Sequence, residues 1–293
     1  MIVIVCLNPA LDVTYHVEEL VPGSSHRVRA HHERAGGKGL NVARVLHQLG
    51  SPAVVLGFLG GHHGSLVADE IAAAGISARW TRIADSTRRT VTVADSDATV
   101  FLEPGPACSA AEWPSFVASY ENALDSADVV VFSGSLPDGL APDAYAQLIA
   151  LAGERPTILD TDGRGLLPGL AARPYLAKPN AVEAADLGGD VASVLRAGAR
   201  NAVVSRGSAG LSASLDGRSF AVSVPHVAGN ATGAGDALTA GLAAGMAGGD
   251  GWPDVLRSSA ALAVGAVALP YAGGFDAAVA DEVRPLIKVE ELT

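Results

Sequence analysis

The sequence predicts an α/β fold, with a central, mostly parallel sheet flanked by helices and a small second β-sheet, on three observations. Short unbroken apolar runs alternate with helix-sized segments, two glycine-rich turns each open a helix, and two stretches alternate apolar with polar residues. The unbroken runs are Ile2 to Cys6, Ala53 to Phe58, Val129 to Phe132, Thr157 to Leu159 and Ala202 to Val204. Apolar, β-branched runs of this length are the mark of strands buried on both faces of a parallel sheet. The alternating stretches, Val13 to Glu18 and Thr90 to Leu102, read as strands with one wet face.

With 293 residues, 49% of them hydrophobic, the chain can bury the core of one large α/β domain or of two ordinary ones. A formal net charge of −11 argues against a nucleic-acid partner. No apolar run is long enough to span a bilayer, and Met1-Ile2-Val3-Ile4-Val5 enters a strand-like run without a basic leader, so a cytoplasmic protein is expected. Cys6 lies in an apolar strand pattern, which favours a buried free thiol over a pair with Cys108. The adjacent pairs His31-His32 and His62-His63 do not have zinc-ligand spacing.

In chain order, Asp12 comes first, just beyond a strand that ends at Asn8-Pro9. The crevice outside the carboxyl ends of parallel strands is where such sheets bind ligands, and a short fixed carboxylate there accepts hydrogen bonds from vicinal hydroxyls. A turn aspartate is the plainer reading. Next comes Gly36-Gly37-Lys38-Gly39-Leu40-Asn41, followed by Val42, Val45, Leu46 and Leu49 at helical spacing, with Gly50 as a stop. This is not a Walker A loop: the places for its first glycine and its Ser or Thr hold His32 and Gly39. Gly36 and Gly37 permit close approach of backbone to a substrate. Arg88 and Arg89 open the second alternating stretch; a guanidinium suits bidentate phosphate recognition, whereas Arg27 and Arg29 read as solvated edge charges. Ser133-Gly134-Ser135 follows a buried strand and offers hydroxyl donors.

Further on, Asn180 and Glu183 have the spacing of an ordinary helix start. Leu211 to Leu215 and Ser219 to Val224, joined at Asp216-Gly217, read as a hairpin. Gly229-Asn230-Ala231-Thr232-Gly233-Ala234-Gly235-Asp236 is the most telling stretch, because Leu238, Leu242 and Met246 then mark a helix beginning near Ala234. Unobstructed amides at a glycine turn, joined to a helix N-terminus, make an anion site for phosphate. Asp236 within it is either an N-terminal cap or a base. A carboxylate at a helix N-terminus is expected to be ionised at neutral pH.

Six segments in order resemble the ribokinase-like (PfkB) carbohydrate kinases, in the branch of 1-phosphofructokinases and tagatose-6-phosphate kinases. They are Leu7-Asn8-Pro9-Ala10-Leu11-Asp12, Gly36 to Ala43, Glu103-Pro104-Gly105-Pro106, Ser133 to Pro137, Lys178 to Glu183, and Gly233-Ala234-Gly235-Asp236. The resemblance spans nearly the whole chain and implies one ribokinase-like α/β domain over residues 1–293. A small β-sheet lid, formed by segments near 12–34 and 86–104, would close over the sugar. It implies Asp236 as base, with the amides around Gly233, Ala234 and Gly235 holding the transferred phosphoryl group. Asp12, Gly36, Gly37, Lys38, Asn41, Arg88 and Ser135 would bind the sugar. Lys178, Asn180, Ser205, Gly207, Gly210 and Thr232 would border ATP, and Glu183 would organise Mg²⁺. ATP and Mg²⁺ are therefore the implied cofactors, with a monovalent cation as an open addition, and a homodimer through the lid follows the family habit.

The implied reaction is phosphorylation of a ketohexose phosphate: fructose 1-phosphate, fructose 6-phosphate or tagatose 6-phosphate. Because the Gly-Gly-Lys-Gly string also occurs in ribokinases, a kinase of an unphosphorylated sugar or nucleoside stays open. So does a non-catalytic sugar-phosphate sensor. Two positions depart from the branch: Leu102, where relatives carry Asn, and Ala231, where Ser, Pro or Thr is commoner.

Overall fold

The unbroken run Ile2–Cys6 forms the strand β1 at the middle of the sheet, with its alternate side chains feeding two separate apolar cores. Ile2, Ile4 and Cys6 join one core, and Val3, Val5 and Leu7 join the other, which is how a strand covered on both faces must distribute its side chains. The structure, a computed structural model, describes residues 1–96, 98–109 and 111–292. Residue 97, inside the expected lid segment, lies outside that description, as do 110 and 293.

Along the first half of the chain, β1 is followed by β2 (Ala10–His16), β3 (Ala30–Gly36), α1 (Lys38–Gln48), β4 (Ala53–Gly60), α2 (Gly61–Ala73) and β5 (Ala78–Ile83). Then come β6 (Arg88–Ala94), β7 (Ala98–Leu102), α3 (Glu112–Leu124), β8 (Val129–Ser133), α4 (Ala144–Ala152) and β9 (Thr157–Asp160). The second half holds α5 (Leu166–Ala171), β10 (Leu176–Ala177), α6 (Ala181–Ala185), α7 (Val191–Arg196), β11 (Asn201–Ser205), β12 (Leu211–Leu215) and β13 (Arg218–Ser223). It closes with α8 (Ala234–Gly248), α9 (Trp252–Val267), α10 (Ala277–Val283) and β14 (Lys288–Leu292).

A ten-stranded sheet has the order β14-β13-β12-β11-β10-β9-β8-β1-β4-β5. It is parallel from β11 to β5 and antiparallel at β12, β13 and β14. All five apolar runs are strands of this sheet, and the hairpin at Asp216-Gly217 joins β12 to β13. Asp216 takes a φ of 50°, the left-handed conformation such a tight turn demands.

A separate four-stranded sheet, β3-β2-β6-β7, gathers the alternating segments. Its β2 starts at Ala10, earlier than the alternation suggests, and pairs in parallel with β6, so that Ala10 faces Arg88 and Asp12 faces Thr90. The stretch Thr90 to Leu102 holds two paired antiparallel strands. At the free edge, Val100, Phe101 and Leu102 of β7 are all exposed. Cys6 is buried and free, and Cys108 is also free. Among the described residues no helix is long and apolar enough to cross a membrane.

Candidate active site

The carboxyl ends of β1, β8 and β9 and the N-termini of α1 and α8 converge on one crevice, with the small sheet above it. Gly233 caps α8 with φ 87°, and a Cβ there would lie 2.7 Å from the Ala272 Cβ. Only glycine fits that turn, and no side chain caps the helix. The Ala234 amide, expected on the phosphoryl group, donates instead to the Ala231 carbonyl at 3.2 Å, because the tight turn ahead of the helix takes it up. Ahead of it, the Asn230 side chain accepts from the Thr232 amide at 2.9 Å and donates to the Pro270 carbonyl at 3.2 Å.

Asp236, in the first turn of α8, is buried, and its Oδ2 accepts from Asn41 Nδ2 at 2.8 Å. Burial first, and the nearby Asp160 carboxylate second, push its carboxyl up from an ordinary 3.8 to about 7; the Asn41 bond, Lys178 and Lys38 pull the other way. The expectation of a fully ionised carboxylate is thereby corrected, because desolvation outweighs the helix N-terminus. A residue poised near neutrality is the kind that can take a proton during catalysis.

Beneath α8 lies a buried polar set in which Lys178, expected beside ATP, meets two residues that sequence reasoning missed, Asp160 and Thr239. Lys178 Nζ stands 3.3 Å from Asp160 Oδ2, which also accepts from the Thr239 hydroxyl at 2.6 Å. Lys178 is 3% exposed, and its ammonium sits 3.7 Å from where a Gly235 Cβ would project. Its charge therefore reaches the anion site through the floor at Gly235. A lone Asp at the carboxyl end of β9 was the available signal, by the same strand-end rule that singled out Asp12.

Lys38 opens α1, an unfavourable place for a cation, and nearby acids offset it. Its Nζ lies 3.3 Å from both Asp162 Oδ2 and Glu183 Oε1; burial by itself lowers its pKa, but the carboxylates of Asp160, Asp162, Glu183 and Asp236 together raise it. The ammonium expected on the sugar is thus held by Asp162 and Glu183, and Asn41, also expected on the sugar, holds Asp236. Glu183 does two things: its Oε2 accepts from the Asn180 amide at 2.9 Å, closing a capping box on α6, while Oε1 meets Lys38. The plain helix-start reading is correct, and the other carboxylate oxygen faces the Lys38 ammonium. Among the described residues no group of three or more acids, histidines or cysteines could hold a metal, so what fits Mg²⁺ here is a single carboxylate, which is enough for a hard cation that keeps most of its waters.

On the sugar side, a Cβ at Gly36 would fall 1.9 Å from Asp12 Oδ2. Glycine is there because the Asp12 carboxylate occupies that space. Burial raises the Asp12 pKa, opposed by the Thr90 hydroxyl and by Arg88, Arg34 and Arg44. Arg88 donates from Nε to Asn8 Oδ1 at 3.1 Å, and Asn8 Nδ2 donates to Ser135 Oγ at 3.1 Å, so Asn8 joins two predicted residues that lie far apart in sequence. The adjoining Ser133 hydroxyl is buried without a hydrogen-bond partner. Arg89 is spent on Glu103, at 2.6 and 2.9 Å, and Arg29 on Glu18. Among the described residues Arg88 has no carboxylate at ion-pair distance.

On the far side of Gly235 opens a cavity of about 570 Å³. Asn180, Ser205, Gly207 and Gly210 line its polar rim, and Leu211, Val227, Leu238 and Val264 line its apolar wall. A planar apolar base flanked by polar groups suits such a slot. Lys178 and Thr232 are not part of this lining.

An anion site with a tunable carboxylate, set between a hydroxyl-binding crevice and a base-sized cavity, defines a phosphoryl-transfer enzyme of the sugar kinase class. The profile of the pfkB family carbohydrate kinases matches residues 2–275, and the chain belongs to that family. It is 33% identical over 264 residues to a tagatose-6-phosphate kinase of Staphylococcus epidermidis, covering 84% of this chain and 85% of that protein. Two similar solved structures are of phosphofructokinase-2 from Escherichia coli. The tetrameric inhibited form has a TM-score of 0.88 at 25% identity, and the complex with fructose-6-phosphate 0.86 at 24%; each covers 97% of this chain and 98% of that one.

Proposed function

We propose that this chain transfers a phosphoryl group from ATP to a hydroxyl of a ketohexose phosphate. The observation that carries the reading is the guanidinium of Arg88, which has no carboxylate at ion-pair distance among the described residues and is held by Asn8 and the Thr90 hydroxyl beside Asp12. One group for an anion and one for hydroxyls, side by side, match a phosphorylated sugar. The similarity to proteins named tagatose-6-phosphate kinase and phosphofructokinase-2 points to the same substrate class.

In this reading Asp12 orients the sugar by its hydroxyls, and Arg88 with Ser135 holds its phosphate. Asp236 lies between sugar and anion site; it aligns the attacking hydroxyl and accepts its proton as the new O–P bond forms and the bond to the leaving diphosphate breaks. Asn41 holds that carboxylate in place. The amides of Gly233 and Gly235, backed by Lys178, and the Lys38 ammonium face the charge that spreads over the moving phosphoryl oxygens. Mg²⁺, when held through Glu183, supplies neutralisation of the triphosphate. The apolar wall of the cavity takes the adenine, and Ser205, Gly207 and Gly210 border its ribose. The whole chain works as one unit in which the small sheet closes over the sugar and excludes water. The exposed Val100, Phe101 and Leu102 at its edge suit burial in a homodimer.

The test is ADP formation with tagatose 6-phosphate, fructose 6-phosphate, fructose 1-phosphate and their unphosphorylated counterparts. Turnover is expected with at least one ketohexose phosphate and at much lower kcat/KM with the free sugars. Preference for a free sugar or nucleoside contradicts the reading.

A further inference from the structure

Arg34 lies on β3 directly across from Asp12, yet its side chain is bonded to another part of the molecule. Its Nη1 donates to the Ala272 carbonyl at 2.7 Å, and its guanidinium lies 4.7 Å above the centre of the Tyr271 ring. A cation stacked on an aromatic face while one N–H is fixed on a carbonyl has little freedom to reorient.

The loop that Arg34 grips forms a wall of the phosphoryl site. Ala272 packs against Gly233 so closely that a Cβ on that glycine would lie 2.7 Å away. The neighbouring Gly273 packs on Asn41, whose Oδ1 would be 2.7 Å from an added Cβ. From the other side, Asn230 holds the Pro270 carbonyl at 3.2 Å while shaping the turn at Thr232. Residues 272 and 273 thus lean both on Gly233, the cap of the helix that carries Asp236, and on Asn41, the partner of Asp236, and Arg34 ties this loop to the strand paired with Asp12. A shift of the small sheet moves β2 and β3 together, because they are hydrogen-bonded along their length from Ala10 to His16. The shift therefore pulls on Ala272 and, through it, on Gly233.

We propose that Arg34 is a positioning residue that ties the small sheet to the wall of the anion site, so that a sugar phosphate bound at Asp12 tightens the nucleotide site. This rests on the kinase reading above. Arg34 touches neither substrate; it sets where the amides at Gly233 stand. Coupling between two sites is reciprocal and is read from binding alone, without turnover.

The experiment measures calorimetric binding of a non-hydrolysable ATP analogue with Mg²⁺, with and without saturating tagatose 6-phosphate. In the wild type the sugar phosphate is expected to tighten the analogue about fivefold or more, a typical allosteric ratio. Arg34→Gln should bring the ratio to within about twofold of one while each ligand alone binds nearly as before. Tyr271→Ala, which leaves Arg34 but removes its platform, should lose part of the ratio, and Arg34→Lys should retain part of it. These two variants decide the matter if Arg34→Gln does not fold. A wild-type ratio of one, or an undiminished ratio in the variants, overturns the role of Arg34 even where tagatose 6-phosphate is turned over. A sugar phosphate that neither binds nor turns over overturns the functional reading and this coupling together.

Discussion

Asn41 Nδ2 lies 2.8 Å from Asp236 Oδ2, joining the first turns of two helices whose sequences are 195 residues apart. The amide donates to the carboxylate and so favours its charged form, against the burial and the Asp160 charge that favour the neutral one. The balance near 7 determines how the enzyme should respond to pH.

Since the base is the carboxylate, kcat/KM, which reports the free enzyme, should rise with pH through an apparent pKa near 7. Asn41→Leu removes a bond made to the ionised form, so the acid limb should move to higher pH. The pH profile of kcat/KM measures this directly, and a limb that stays in place in the variant would separate Asn41 from the ionisation of Asp236.

Asp236→Asn should lower kcat by roughly 10²–10⁴ while both substrates still bind. It should also stabilise the fold at neutral pH. The folded pKa is raised from 3.8 to about 7, so the native state holds more protons than the unfolded state in that window and loses stability as pH rises through it. The variant escapes that loss. Its melting temperature should exceed the wild type's at pH 8 by a few degrees, ~2–4 °C per kcal/mol, and by less at pH 5. Equal melting at both pH values would mean the carboxyl is not strained by burial.

Glu183→Gln preserves the reach of the capping box but removes the charge. The fold should be unaffected, and half-maximal rate should require several-fold more Mg²⁺. An unchanged Mg²⁺ titration would leave Glu183 as a helix cap and partner of Lys38 alone.

Gly36→Ala puts a methyl group 1.9 Å from Asp12 Oδ2 and must displace that carboxylate. Since Asp12 orients the sugar in this account, KM for the sugar phosphate should rise tenfold or more with KM for ATP little changed. A normal sugar KM would remove Asp12 from the binding site.

The parallel sheet was legible because its strands are buried on both faces and must be apolar without interruption. The edge strand Ala30–Gly36 was not, since His31, His32 and Glu33 face solvent and its pairing to β2 supplies the order that composition does not. Glycine turns and the Asp12 and Asp236 carboxylates could be read locally, because a helix start or strand end announces itself within a few residues. The directions of Lys38 and Asn41 could not, as their partners Glu183 and Asp236 are brought near only by the fold. The ionisation of Asp236 was misjudged for the same reason: burial and the Asp160 neighbour are tertiary facts.

The measurement that bears most directly on the central claim is the effect of Arg88→Ala on paired phosphorylated and free sugars. A charge-assisted contact to phosphate contributes on the order of 1.5–3 kcal/mol, so KM for the ketohexose phosphate should rise roughly ten- to a hundredfold, with KM for ATP nearly constant. The salt dependence of sugar-phosphate binding should weaken as well, because one screened ionic contact is gone. A wild type that prefers the unphosphorylated sugar, with a KM that Arg88→Ala leaves unchanged, would contradict the account.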